Sequence, residues 1–196
     1  MTVRCYLALG DSFTAGTEAG IRWPDAVAES LGASRYENLA WDGATSEDVE
    51  RGQLEPGLAL EPDLVSLVCG ANDVLYSVRP DPLAYASRLG RMFSRIREAV
   101  PDADVVTATY PDIGRFLELR ERSRARVRRG IADFNEICRS VAGGHGVLCL
   151  DWADHPDTTR PDYRGEDGFH PSEDGHRRAA AEVLAGLSSA RKEQFA

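Results

Sequence analysis

Near-continuous apolar runs of strand length alternate along the chain with stretches in which apolar residues recur every three or four positions. Residues 3–9 (VRCYLAL), 63–69 (DLVSLVC), 103–108 (ADVVTA) and 146–150 (GVLCL) are of the first kind. That is how strands covered on both faces of a parallel sheet read. A shorter, more polar strand is predicted over residues 35–38. Residues 23–31 predict a helix, with Pro24 in its first turn and Gly32 as its stop. Thr45 and Asp48 stand at capping-box spacing and open a helix to about Leu54, expected to break at Pro56-Gly57. Leu83, Leu89, Phe93, Ile96 and Val100 define another helix. A long helix is predicted over residues 116–141, with Val127, Ile131, Phe134, Cys138 and Val141 as its apolar stripe. Ser172 can cap a last helix whose buried face includes Ala179, Val183 and Leu187, with residues 188–196 expected to fray.

Five strands with intervening helices and no internal repeat imply an α/β fold: a three-layer α/β/α sandwich around a five-stranded parallel sheet. Crossovers should be right-handed. The flavodoxin-like order 2-1-3-4-5 then places the first strand beside the switch point, where such sheets bind ligands. Residues 1–196 are expected to form one domain.

A formal net charge of -9 argues against a general nucleic-acid partner, since no global basic field attracts phosphates. Lys192 is the only lysine, a bias a GC-rich genome produces without functional demand. Its place in the polar tail leaves neither a P-loop lysine nor a Schiff-base lysine. Cys5, Cys69, Cys138 and Cys149 form no Cys-x-x-Cys pair and are expected as buried, reduced thiols. The first residues lack a charged segment followed by an apolar leader core. No run approaches the about 18 apolar residues of a membrane span. The expectation is a soluble, cytoplasmic protein without membrane insertion; oligomeric state is not readable.

The candidate chemistry lies at the ends of the strands. Gly10-Asp11-Ser12 follows the first strand and leads into a turn and helix, so Ser12 sits where helix N-terminal N–H groups can stabilise negative charge. Asp167-Gly168-Phe169-His170-Pro171 lies on a loop before the last helix, because Pro171 biases His170 away from helical dihedrals. An Asp and a His three apart on a turn can face each other, leaving Nε2 free to take a proton from a serine. Gly70-Ala71-Asn72-Asp73 follows the third strand, and Asn72 can donate a side-chain N–H towards a developing oxyanion. Gly43, after the second strand, permits close backbone approach and can present its own N–H.

These blocks, in this order and each at a strand's carboxyl end, resemble the SGNH hydrolases, also called the GDSL esterase/lipase family. The resemblance runs from the Gly-Asp-Ser block to the Asp-x-x-His-Pro block, with Phe13 standing where many members have Leu. It implies Ser12 as nucleophile, His170 as base and then acid, and Asp167 as the group that orients His170. It also implies an oxyanion hole from the backbone N–H groups of Ser12 and Gly43 and the side chain of Asn72. The implied function is hydrolysis of an ester, thioester or sugar O-acetyl group through an acyl-enzyme, with no metal or other cofactor. The expected partner is a small soluble ester substrate.

Other features carry alternatives. A flavodoxin-like module could cradle a phosphate or flavin with residues 11–14 and Thr17, and a catalytically silent relative would act by interaction alone. The first leaves Asn72, Asp167 and His170 without a role; the second has every triad position filled. His155 with Asp151, Asp154 and Asp157 raises a metal cluster, though without recognised ligand spacing. His145 falls on the edge of the sheet away from Ser12, and His176 on the last helix. The arginine-rich residues 115–129 are either a solvated helix face or a cluster that attracts an anionic substrate. Trp41, Tyr110, Trp152 and Phe169 lie near the same edge, either packed or lining an acyl or alcohol pocket.

Overall fold

The computed structural model of the protein describes residues 3–17 and 19–194. Five parallel strands form one sheet in the order 2-1-3-4-5: β1 (Cys5–Gly10), β2 (Arg35–Asn38), β3 (Leu64–Val68), β4 (Asp104–Ala108) and β5 (Leu148–Leu150). β1 lies between β2 and β3, with Tyr6 opposite both Tyr36 and Leu64, and every residue of β1 and β3 is buried. α1 (Ser12–Ala15) turns off the end of β1. α2 (Trp23–Leu31) packs on α8 (Glu173–Gln194) over one face. α4 (Leu54–Leu58) and α7 (Glu121–Gly144) both pack on α6 (Pro82–Ala99) over the other. α3 (Ser46–Asp48) and α5 (Ala71–Leu75) lead away from the carboxyl ends of β2 and β3.

The helix after β2 departs from expectation. Thr45 caps α3 as expected, its hydroxyl accepting the Asp48 N–H while Asp48 accepts the Thr45 N–H. The chain then passes through a π-helical turn, Val49–Gln53, and continues as α4 through Pro56-Gly57. Neither breaker breaks it. Pro56 follows the π-turn directly, where the regular i→i−4 ladder is already interrupted and the Leu54 N–H bonds to the Val49 carbonyl. Gly57 lets the helix close onto β1: a side chain there would stand 2.6 Å from the Leu7 Cδ2.

Three other boundaries differ. Leu83 is 82% exposed, so the buried stripe of α6 is Tyr85, Leu89, Met92, Phe93 and Ile96 instead. Residues 113–115 form a 3-10 turn with Ile113 buried, and α7 begins only at Glu121, not at 116. The last helix does not fray from Ser188: Leu187 is buried, Arg191 pairs with Asp104 of β4, and α8 runs to Gln194. Residues 195 and 196, also expected to fray, lie outside the described residues.

A buried polar tie joins α8 to α2. The Trp23 backbone N–H donates to His176 Nδ1 at 3.2 Å, and the Trp23 indole N–H donates to the Phe13 carbonyl at 3.0 Å. His176 is fully buried. Burial, aided by the nearby His170 and Arg22 and opposed by Asp25, pushes its imidazole down to about 4. An unfolded chain protonates this residue near its ordinary value of 6.5. The contribution of His176 is therefore complete above pH 6.5 and is lost as the pH falls towards 4, a swing of roughly 3 kcal/mol. Denaturant unfolding of wild type and His176→Gln at pH 7.5 and 5 should show a smaller acid loss in the variant. Equal losses would show that His176 does not titrate in this way.

Candidate active site

β1 delivers its carboxyl end to the site through one glycine. Gly10 has φ +151°, and a side chain there would stand 2.2 Å from the Val68 carbonyl oxygen of β3. Only glycine makes that exit without strain. Gln53, fully buried on the π-turn, holds Gly10 from both sides: its Oε1 accepts the Gly10 N–H at 2.7 Å and its Nε2 donates to the Gly10 carbonyl at 2.8 Å.

Asp11 comes next and caps α1. One carboxylate oxygen accepts the Phe13 N–H at 3.1 Å; the other accepts the Tyr110 hydroxyl at 2.6 Å. Burial pushes the Asp11 carboxyl up to about 7, against the lowering effect of those two hydrogen bonds. Tyr110 is itself fixed by Asn135, which accepts its N–H at 2.9 Å and donates to its carbonyl at 2.7 Å. Ser12 thus becomes the first residue of a short helix anchored in the core.

Ser12 Oγ lies 2.8 Å from His170 Nε2, and His170 Nδ1 lies 2.6 Å from Asp167 Oδ2. The other Asp167 oxygen accepts the backbone N–H groups of Phe169 and His170 at 2.8 and 2.9 Å. Burial raises the Asp167 carboxyl, but these N–H groups and the imidazole outweigh it and hold the group below its ordinary value. An ionised Asp167 only accepts. It therefore places the imidazole proton on Nδ1 and leaves Nε2 to accept the Ser12 hydroxyl proton. The Phe13 ring supports the loop, edge-on to Phe169 at 5.6 Å and to Tyr110 at 5.4 Å, and 5.6 Å from the His170 ring.

Gly43 and Asn72 reach the same sheet edge from β2 and β3, the strands flanking β1. Gly43 has φ +79°, and a side chain there would meet the Tyr76 hydroxyl at 3.0 Å. Asn72 is buried and donates one Nδ2 hydrogen to the Ala44 carbonyl at 3.0 Å. Its second hydrogen has no other partner among the described residues. Asp73 ties the two loops again, accepting the Ser46 N–H and hydroxyl at 2.8 and 2.6 Å. The arrangement can pass a proton from a serine to an imidazole beside backbone and amide N–H donors.

The other candidates fall elsewhere. Thr17 donates its hydroxyl to Asp42, and Asp11 caps a helix, so these groups do not form a phosphate cradle. Asp151 and Asp154 pair with Arg139, Asp157 with Arg178, and His155 with Glu182. Among the described residues no three His, Cys, Asp or Glu side chains are grouped to hold a metal ion. His145 bonds to Ser94 and the Val141 carbonyl before β5. Trp152 packs edge-on against Trp23, Phe169 against Phe13, and Trp41 leans half-exposed over Gly52. Cys5, Cys69 and Cys138 are buried thiols, but Cys149 is only half-buried. Sequence reasoning missed Gln53, Asp73 and the Tyr110–Asp11 bond, because each joins residues far apart in the chain.

The chain is similar to known proteins in sequence and in fold. The model of the GDSL-like Lipase/Acylhydrolase family matches residues 8–178. A protein named Lipase from Streptomyces rimosus is 25% identical over 231 residues, covering 91% of this chain and 85% of that protein. The crystal structure of the extracellular lipase from Streptomyces rimosus has a TM-score of 0.71 at 24% identity, covering 95% of this chain and 99% of that one. A catalytic mutant of Axe2, an acetylxylan esterase from Geobacillus stearothermophilus, has a TM-score of 0.76 at 20% identity, covering 95% of this chain and 94% of that one.

The grip of Gln53 on Gly10 has a measurable consequence. Gln53→Leu keeps the shape but leaves a buried N–H and carbonyl unpaired. It should lower the unfolding free energy by roughly 2–4 kcal/mol. Gln53→Glu should cost less only at acid pH, where its protonated carboxyl can both accept the Gly10 N–H and donate to the Gly10 carbonyl. Denaturant melts that show no loss for Gln53→Leu would contradict the assignment.

Proposed function

Since the chain belongs to the GDSL-like lipase/acylhydrolase family and is an ester-acting hydrolase, we propose that it cleaves small soluble carboxylic esters, O-acetyl groups among them, through an acyl-enzyme on Ser12. The observation that carries this reading is the hydrogen-bonded line from Ser12 through His170 to Asp167.

Ser12 Oγ attacks the ester carbonyl as His170 Nε2 takes its proton, and the carbonyl oxygen becomes an oxyanion. The backbone N–H groups of Ser12 and Gly43 and the free N–H of Asn72 receive it. As the tetrahedral intermediate collapses, His170 returns the proton to the departing alkoxide, which leaves as the alcohol. His170 then deprotonates a water that attacks the acyl-serine, and the acid leaves with Ser12 regenerated. Asp167 holds the imidazole in one tautomer and stabilises its charged form throughout.

No helix of the described residues is long and apolar enough to cross a membrane. The likeness to an acetylxylan esterase supports including O-acetyl groups in the substrate range.

Ser12→Ala and His170→Ala should each lower kcat on p-nitrophenyl acetate by about 10⁴ or more while the fold persists. Asn72→Ala should lower kcat by about 10²–10³ with little change in KM. Asp167→Asn should fall between wild type and His170→Ala. A panel of p-nitrophenyl esters from acetate upward, with acetylated sugars, should show the highest kcat/KM at short acyl chains. Turnover retained by Ser12→Ala, with contaminating esterase excluded, would refute the mechanism; a preference for long chains would refute the substrate class.

A further inference from the structure

A cleft of about 590 Å³ lies between α7 and the loop that joins α5 to α6. Its volume falls within the range of small-molecule sites. Val78, Pro80, Pro82 and Phe134 supply an apolar lining, and Val78 is 86% exposed. Neither Ser12 nor His170 lines it.

One face of α7 supplies the charge. Arg122, Arg126, Arg129 and Asp133 follow one another at spacings of four, three and four residues, and all line the cleft. Their guanidinium groups are not equivalent. Arg126 donates to the Val74 and Ser77 carbonyls and so ties α7 to the end of α5, the helix that carries Asn72. Outside the cleft, Arg124 pairs with Glu121 and Arg128 with Asp112. Arg122 and Arg129 have no hydrogen-bond or ion-pair partner among the described residues, and both are exposed. Three positive charges thus face one carboxylate in a chain whose formal net charge is -9.

An acidic protein repels anions at long range, so a local positive cluster over an apolar lining acts by contact rather than by steering. The planar guanidinium fork matches carboxylate oxygens. Exposed apolar side chains beside it favour a hydrocarbon body over a bare ion. We infer that this cleft is a binding site for an amphipathic carboxylate, its head on Arg122 and Arg129 and its chain against Val78, Pro80, Pro82 and Phe134. The site stands apart from the function proposed above, whose short-chain acid products lack the apolar body it would hold.

The test is titration of octanoate into the Ser12→Ala protein by calorimetry, which removes turnover from the measurement. Octanoate should bind saturably, and more weakly as salt rises. Octanamide, which lacks the charge, and acetate, which lacks the chain, should each bind at least about tenfold more weakly. The Arg122→Gln/Arg129→Gln double variant should weaken octanoate binding by about tenfold or more, and Asp133→Asn should tighten it. Both arginines are exposed, so the double variant should keep the wild-type Tm. Val78→Asp should weaken octanoate by placing a like charge on the lining. Equal binding of octanoate and octanamide, affinity unchanged in the double variant, or no saturable binding would overturn the proposal. Each result stands whether or not Ser12 is the nucleophile.

Discussion

The position of Ser12 depends on how β1 ends. Gly10 leaves the sheet at φ +151° against the Val68 carbonyl, in a conformation other residues cannot adopt there without strain. Gln53 fixes that exit by pairing with both backbone groups of Gly10 where both are buried, so an unpaired partner there is costly. Asp11 then starts α1 through its bonds to Phe13 and Tyr110. Ser12 is held in place by what precedes it. His170 and Asp167 come from the same loop, which the aromatic packing of Phe13 and Phe169 sets against α1.

Holding the serine this way buries two titratable groups with opposite demands. Asp11 stays protonated up to about pH 7 in the folded protein against an ordinary value of 3.8, so its contribution is complete at low pH and is lost as the pH rises through that window. His176 stays neutral down to about pH 4, so its contribution is complete above 6.5 and is lost as the pH falls. Between pH 4 and 7 the two act against each other, which moderates the net pH dependence of a core that contains both an acid and a base.

Much of this was legible in the chain because its signals are local. The apolar runs marked four of the five strands, and the Asp167–His170 pair sits within four residues on one loop, so its geometry needs almost no tertiary information. Ser12, Gly43 and Asn72 were legible as residues placed directly after strands. What escaped is what tertiary contact decides. Gln53 meets Gly10 across 43 residues and Asp73 meets Ser46 across 27, with no sequence spacing to signal either. Pro56-Gly57 reads as a break by propensity, yet the π-turn accommodates the proline and the packing of Leu7 on Gly57 accommodates the glycine within one helical run. Leu83 fits the period of α6 but precedes the point where that helix reaches the core, and so faces solvent.

The central claim is that Ser12 becomes covalently acylated. A fluorophosphonate that mimics the tetrahedral intermediate tests it directly, with the labelled residue identified by peptide mass spectrometry. One phosphonyl group should appear on the peptide bearing Ser12, in step with loss of ester turnover, and labelling should slow sharply in His170→Ala. Complete inactivation with the label on another residue, or full turnover by protein labelled at Ser12, would contradict the account.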